Sequence, residues 1–423
     1  MKKLIILVSL LTLSACTPNQ PVPAIPTTIM NPPPPATTSL ATQRTSIVLW
    51  HNWSTSQAQA YTKIIAAFNA THPTLALQPV KIEALDDALA VALPTGEGPD
   101  LIHWTADQIG AHALAGDIVP MDDYLPEGYL TDNFEPAAAQ AMRWRTQNWG
   151  IPATQAGLAL IYNRDQLRKS DLPTPTDFND LLEKARAFRR AHPAKYYLCN
   201  PGLGQAAAEH VAPIYLGHGL NQYGGLVDDQ GQVYLNRGAG YEAANWIAEF
   251  SKVAPAKASF SLCQELFTSG QVPIWWDGPR ALISLEGTGL NYGIAPMGSP
   301  YVEVTLFMLT ANAVSRGHAP AAVTVLQYLG SAAVQQELAT TQGVVPANSQ
   351  ALHSLAVQTS PYIAGFGAAL HLGTPWPNHP YGVCQWEALG VATLAIWEGR
   401  AAPLPAINAA QKTIESCVTE ISE

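Results

Sequence analysis

Hydrophobic positions along the first third of the chain alternate between two rhythms. Residues 46–50 form a short apolar run that predicts a buried strand. Beyond it, Tyr61, Ile64, Ile65 and Phe68 recur at helical spacing, and Ser54 with Gln57 forms a capping-box pattern that opens that helix. A second strand is predicted over 75–82 and a third over 100–104, the latter punctuated at its start by Gly98-Pro99. Thr105 and Gln108 suggest another capping box, with Gly116 as a left-handed stop. Strand and helix thus alternate three times, the pattern of an α/β sheet with right-handed crossovers.

Gly150-Ile151-Pro152 interrupts this rhythm, and a second α/β unit follows. Its predicted strands are 158–162, 196–199 and 272–276. Its predicted helices are 177–192, with Phe178, Leu181, Leu182, Ala185 and Phe188 on one side, and 241–253. Asp277-Gly278-Pro279-Arg280 predicts a further helix with Asp277 as N-cap and Pro279 at its first position. Extended segments at 292–295 and 306–309 precede a helix at 319–329. A polar, turn-rich region at 354–380 then leads to a closing helix pair that breaks between Gly399 and Pro403. Two α/β units joined by several short extended segments predict two lobes that exchange chain more than once.

Composition narrows the picture. Lys2 and Lys3 precede an apolar run at 4–13, too short for a permanent membrane helix and suited to an export signal. Residues 17–45 are rich in proline and threonine and cannot build a core, so they read as a tether. The remainder is too long for one ordinary core. The net charge is −10 and no basic run occurs, which argues against nucleic-acid binding. Neither CxxC nor HExxH is present, so the sequence gives no support for a metal, and no cofactor is expected.

Beyond Cys16, four cysteines remain, and an even number in an exported chain suggests two disulfides. Cys384 lies 15 residues before Gly399 and Cys417 lies 14 after Pro403, so an antiparallel helix pair brings them level. Cys199–Cys263 follows by elimination.

The stretch 98–116 carries the candidate chemistry. Trp104 and Asp107 fall where a strand hands over to a helix, the position at which open α/β sheets bind ligands. An aromatic face beside a carboxylate suits a hydroxyl-rich ligand. The same residues equally suit core packing and helix-start stabilisation. Trp53 follows the first strand directly and would face the same side. Trp376, held between Pro375 and Pro377, and Trp386, on the first closing helix, complete the aromatic candidates.

Several segments, in order, resemble one family. Leu13-Ser14-Ala15-Cys16 is similar to a bacterial lipobox, which implies cleavage before Cys16 and lipid on that cysteine. IVLWHNWS at 47–54, GEGPDLIHWTADQIGAHALAG from 96, WGIPATQAGLALIYNRDQL from 149, LFTSGQVPIWWDGPRAL from 266, NYGIAPMGSP from 291 and the helix pair from 386 resemble the extracellular solute-binding proteins of ABC importers, in the maltodextrin- and oligosaccharide-binding branch. The resemblance implies an α/β, two-lobed periplasmic-binding-protein-like (class II) fold with a hinge and an interlobe cleft. Lobe one would comprise 46–152 plus 298–346, and lobe two 153–297 plus 347–423. It implies a non-enzymatic monomer, exported and lipid-anchored on the outer face of the cytoplasmic membrane (or on the periplasmic side in a two-membrane host). That protein would capture a solute, a carbohydrate above all, and deliver it to a membrane permease.

Trp104 and Asp107 match the branch's stacking aromatic and sugar-binding carboxylate, and Trp386 matches a stacking tryptophan on the penultimate helix. Two positions depart from it. Gln108 replaces a basic residue, and Arg280 replaces a stacking tryptophan with a forked donor. Trp275 and Trp276 could supply the lost platform, but on a strand at most one would face the cleft. Another oligosaccharide, or an acidic sugar, therefore stays open as the ligand. The competing functional classes are a lipid-anchored glycoside-active enzyme and a non-transport surface binding protein. The GxGxxA run from Gly202 to Ala207 is too weak alone to imply a dinucleotide site.

Overall fold

A computed structural model describes residues 44–422. The export signal, Cys16 and nearly all of the 17–45 tether lie outside the described residues. Two sheets organise the chain. The first has seven strands and is built around three parallel ones: Thr45–His51, Leu75–Lys81 and Leu101–Thr105. The strand Tyr301–Leu309 joins them antiparallel, placing Leu306 opposite Trp104 and Thr305 opposite Thr105. Ile151–Ala156 and Val345–Pro346 extend the far side, and Thr374–Pro375 pairs with Tyr301 and Val302. The stretch beyond 346 thus also contributes to the first sheet.

The second sheet has four strands, in the order Tyr292–Ala295, Ala159–Asn163, Ile274–Asp277 and Leu198–Cys199. Only Gly157 and Leu158 separate Ala156 in the first sheet from Ala159 in the second. A side chain at Gly157 would strike the Tyr301 carbonyl oxygen at 2.6 Å, so the crossing passes too close to the neighbouring strand for anything but glycine. The result is a two-lobed, mixed α/β molecule.

Local chemistry sets the element ends. Helix Thr55–Thr71 begins with the expected box: the Ser54 hydroxyl accepts from the Gln57 N–H, and the Gln57 side chain accepts from the Ser54 N–H. It buries Tyr61, Ile64, Ile65 and Phe68. Thr105, by contrast, makes no side-chain cap, because a single 3-10 turn, Ala106–Gln108, intervenes before helix Ile109–Ala115. Asp277 is not the N-cap either. It is the last residue of its strand, its carboxylate accepts from the Gly278 N–H, and the short helix starts only at Arg280. The region 354–380 is more ordered than its composition suggested, with helices Leu355–Gln358 and Pro361–Leu370. Ser354 and Ser360 cap them.

Two hydrophobic clusters result. One fills the first sheet and one face of the second, and includes Trp275. The other packs the opposite face, with Trp276, against the closing helices Cys384–Trp397 and Pro403–Ser422. Both disulfides form, Cys199–Cys263 with 5.4 Å between Cα atoms and Cys384–Cys417 with 5.6 Å. No described helix is long and apolar enough to cross a membrane.

Candidate site at the interlobe crossing

Strand Leu101–Thr105 buries its first three side chains and leaves Trp104 half-buried at its carboxyl end. The turn that follows presents Asp107. Gln108 donates to its Oδ2 at 2.9 Å, while Oδ1 is shielded from solvent and has no hydrogen-bond partner. Glu303 stands in the adjacent strand, opposite Ala156 in register. Burial, and then the charge on Asp107, push the Glu303 carboxyl above the ordinary carboxylate range.

The segment after the first sheet approaches the same place. Asn378 O accepts from the Gly110 N–H at 2.9 Å, and Val302 O accepts from the Trp376 N–H at 3.0 Å. Trp376 and Trp386 are both half-buried, with ring centroids 5.4 Å apart. Trp386 also meets the edge of Tyr301, whose hydroxyl donates to Gln385 at 2.8 Å.

A charged cluster borders the crossing on its second-sheet side, where Ala159 pairs with Asp277. His210 sits between Asp277 and Glu209, 3.5 Å from each. Those separations are ion pairs rather than hydrogen bonds, since neither ring nitrogen has a hydrogen-bond partner. Burial alone would depress the His210 pKa, but Asp277 and Glu209 outweigh it and raise it to about 9. The Glu209 carboxyl is held below its usual range, by His210 first. Arg280 is exposed, with its guanidinium 5.1 Å from the Phe260 ring centroid.

Three aromatic expectations need correction. Trp53 does not offer a free face: it is 2% exposed and stacks on His51 at 3.7 Å and on Tyr61 at 4.0 Å. Trp275 and Trp276 do alternate across their strand, yet both are fully buried, because each face of that sheet is covered by its own cluster. Neither provides a platform.

Six residues were singled out from the sequence. Trp104, Asp107 and Trp376 are joined through the strand Tyr301–Leu309, and Trp386 through its contact with Trp376. Arg280 lies with the second-sheet cluster, and Trp53 lies in the core. Glu303 and His210 escaped sequence inspection. The signal for Glu303 was a lone acid in an otherwise apolar strand, YVEVTLFML. His210 gave none, since its partners are distant or adjacent without pattern. Among the described residues no cluster could hold a metal ion.

A separate cavity lies elsewhere. It measures about 740 Å³, is lined by Met121, Leu125, Tyr129, Phe134 and Arg143 among others, and contains none of these residues. Its walls all come from 121–148, so relative motion of the two sheets would not reshape it. A ligand-closing site is better sought at the crossing.

Comparison with known proteins bears on the family and the fold. The sequence model described as bacterial extracellular solute-binding protein matches residues 52–336. The maltotriose-binding protein of Pyrococcus abyssi is 26% identical over 353 residues, covering 80% of this chain and 75% of its own. A cyclo/maltodextrin-binding protein complexed with maltotetraose superposes with a TM-score of 0.76 at 21% identity, over 88% of this chain and 97% of the other. A Staphylococcus aureus extracellular solute-binding protein in complex with maltose gives 0.78 at 19% identity, over 89% and 99%.

Proposed function

Because this chain belongs to the bacterial extracellular solute-binding protein family, we propose that it is the substrate-binding component of an ABC importer that captures a carbohydrate, most directly an oligosaccharide. The lobes close on the sugar about the 156–159 crossing, and the closed form docks on the membrane permease. The observation that carries this reading is the half-buried Trp104 beside Asp107, whose shielded oxygen lacks a donor, at the strand end next to the crossing. An aromatic face takes the apolar side of a sugar ring, and a carboxylate takes its hydroxyls.

In this reading Trp376 and Trp386 form a second aromatic wall and Arg280 contributes donors from the other lobe. Trp53 supports the site from the core. Lobe one is assigned as 46–156 plus 298–346 and lobe two as 159–297 plus 347–423, the expected boundary after 152 moving to the 156–159 crossing because Ile151–Ala156 pairs in the first sheet, with Thr374–Pro375 as a return of the second segment onto that sheet. Residues 1–16 form a lipoprotein signal with Cys16 as the lipid-bearing residue, and 17–45 tether a monomeric receptor to the membrane. The family's members bind solutes without transforming them, and this chain does likewise.

Incubating the purified chain with an oligosaccharide panel tests the reading. Saturable binding with every sugar recovered intact after hours supports capture. Released reducing ends would replace it with glycoside-active chemistry.

A further inference from the structure

Asp107 lies two residues beyond Thr105 and Glu303 two residues before Thr305, its antiparallel partner, so the register sets the two acids beside each other, yet no ion pair involves either among the described residues. The second-sheet cluster differs, since there His210 lies between Asp277 and Glu209. A partly buried carboxylate pair without a cation is costly unless donors reach it. Asp107 Oδ1 has no donor and no access to water. Across the crossing, Asp277 is also buried, its side chain 5% exposed, but it has His210 as its cation and accepts from the Gly278 N–H. Ala156 pairs with Glu303 and Ala159 with Asp277, so the backbone positions bordering the two groups lie at most about 10 Å apart along the chain. The carboxylates without a cation therefore lie on the first-sheet side of the crossing, and the His210-paired Asp277 lies on the second-sheet side.

From this arrangement we propose that Glu303 is a specificity-determining residue, which with Asp107 forms a carboxylate pair that selects sugars by charge, binding an amino sugar above a neutral one and a neutral one above a uronic acid. The proposal rests on the carbohydrate-capture reading and sharpens it. An ammonium group supplies several donors and cancels the repulsion between the two carboxylates. Hydroxyls supply donors without cancelling it. A uronate adds a third negative charge to a partly desolvated pair, a juxtaposition that interfaces use to reject wrong partners. Glu303 thereby closes the option of an acidic sugar at this end, although Arg280 stands in the other lobe.

Calorimetric titration of the full chain with trisaccharides of glucosamine, glucose and glucuronic acid tests this. The expected order is amino, neutral, acidic, with the acidic sugar at least about tenfold weaker than the neutral one. Glu303→Gln should compress the spread between amino and acidic sugars by at least about fivefold, with the thermal midpoint checking that it folds. Added salt should compress the wild-type spread as well, a measurement independent of any variant. Equal or tighter uronate binding by the wild type overturns the proposal, as does an unchanged spread in a folded Glu303→Gln. If no sugar of any charge binds, the capture reading itself fails, and that outcome is distinct from both.

Discussion

Trp376 and Trp386 meet with ring centroids 5.4 Å apart and planes inclined by 53°, one in a proline-flanked loop tied to the first sheet and the other on a closing helix. The backbone of one is fixed to Val302, and the ring of the other rests against the edge of Tyr301. The pair therefore acts as one surface anchored on a single strand. Alanine at either position is expected to weaken sugar binding. The double substitution should cost less than the sum, with a coupling of about 0.5–1.5 kcal/mol. Titrations of the two single variants and the double variant measure it, and strict additivity would show that the rings act separately.

Trp53 is expected to behave differently. Both of its faces are occupied and its side chain is enclosed, so Trp53→Ala should cost about 3–5 kcal/mol of stability. Denaturant unfolding reads this directly. A small stability loss with abolished binding would instead return Trp53 to the ligand surface.

The contrast between these tryptophans shows what the sequence could reveal. The α/β alternation, the first capping box and the level of Cys384 with Cys417 all rest on local spacing, and spacing is visible in a sequence. The placement of Trp104 and Asp107 at a strand end was legible because a strand-to-helix handover is also local. Burial of Trp53, Trp275 and Trp276 was not, since it depends on which elements cover each sheet face. The pairing of Glu303 with Asp107 joins positions far apart in sequence, and only the antiparallel register of Tyr301–Leu309 brings them together. Asp277 was misread as an N-cap because Gly278-Pro279 marks the turn but not the residue at which helical bonding begins.

His210 gives a pH signature with a definite sign. Its pKa rises from 6.5 to about 9 in the folded chain, so its pairing with Asp277 and Glu209 stabilises fully below pH 6.5. That contribution is lost as pH climbs through 9. The thermal midpoint of the wild type should therefore fall more between pH 6.5 and 9 than that of His210→Gln. Parallel curves for the two proteins would mean that His210 is neutral throughout.

The Cys384–Cys417 bridge closes a loop of 33 residues across the final helix pair. Replacing both cysteines with serine should lower stability by about 4 kcal/mol in the chain-entropy description. The bridge lies in the second hydrophobic cluster, against which Trp386 also packs two residues from Cys384, so its loss should weaken sugar binding less than Trp386→Ala does. Chemical unfolding paired with a binding titration separates the two effects.

The most direct test of carbohydrate capture is an isothermal titration of wild type and Trp104→Ala with maltotriose and related oligosaccharides. At least one sugar should bind the wild type saturably at a single site, with Trp104→Ala at least about tenfold weaker, or 1.4 kcal/mol. No saturable heat from any sugar, or full affinity in Trp104→Ala, would contradict a sugar site built at this strand end.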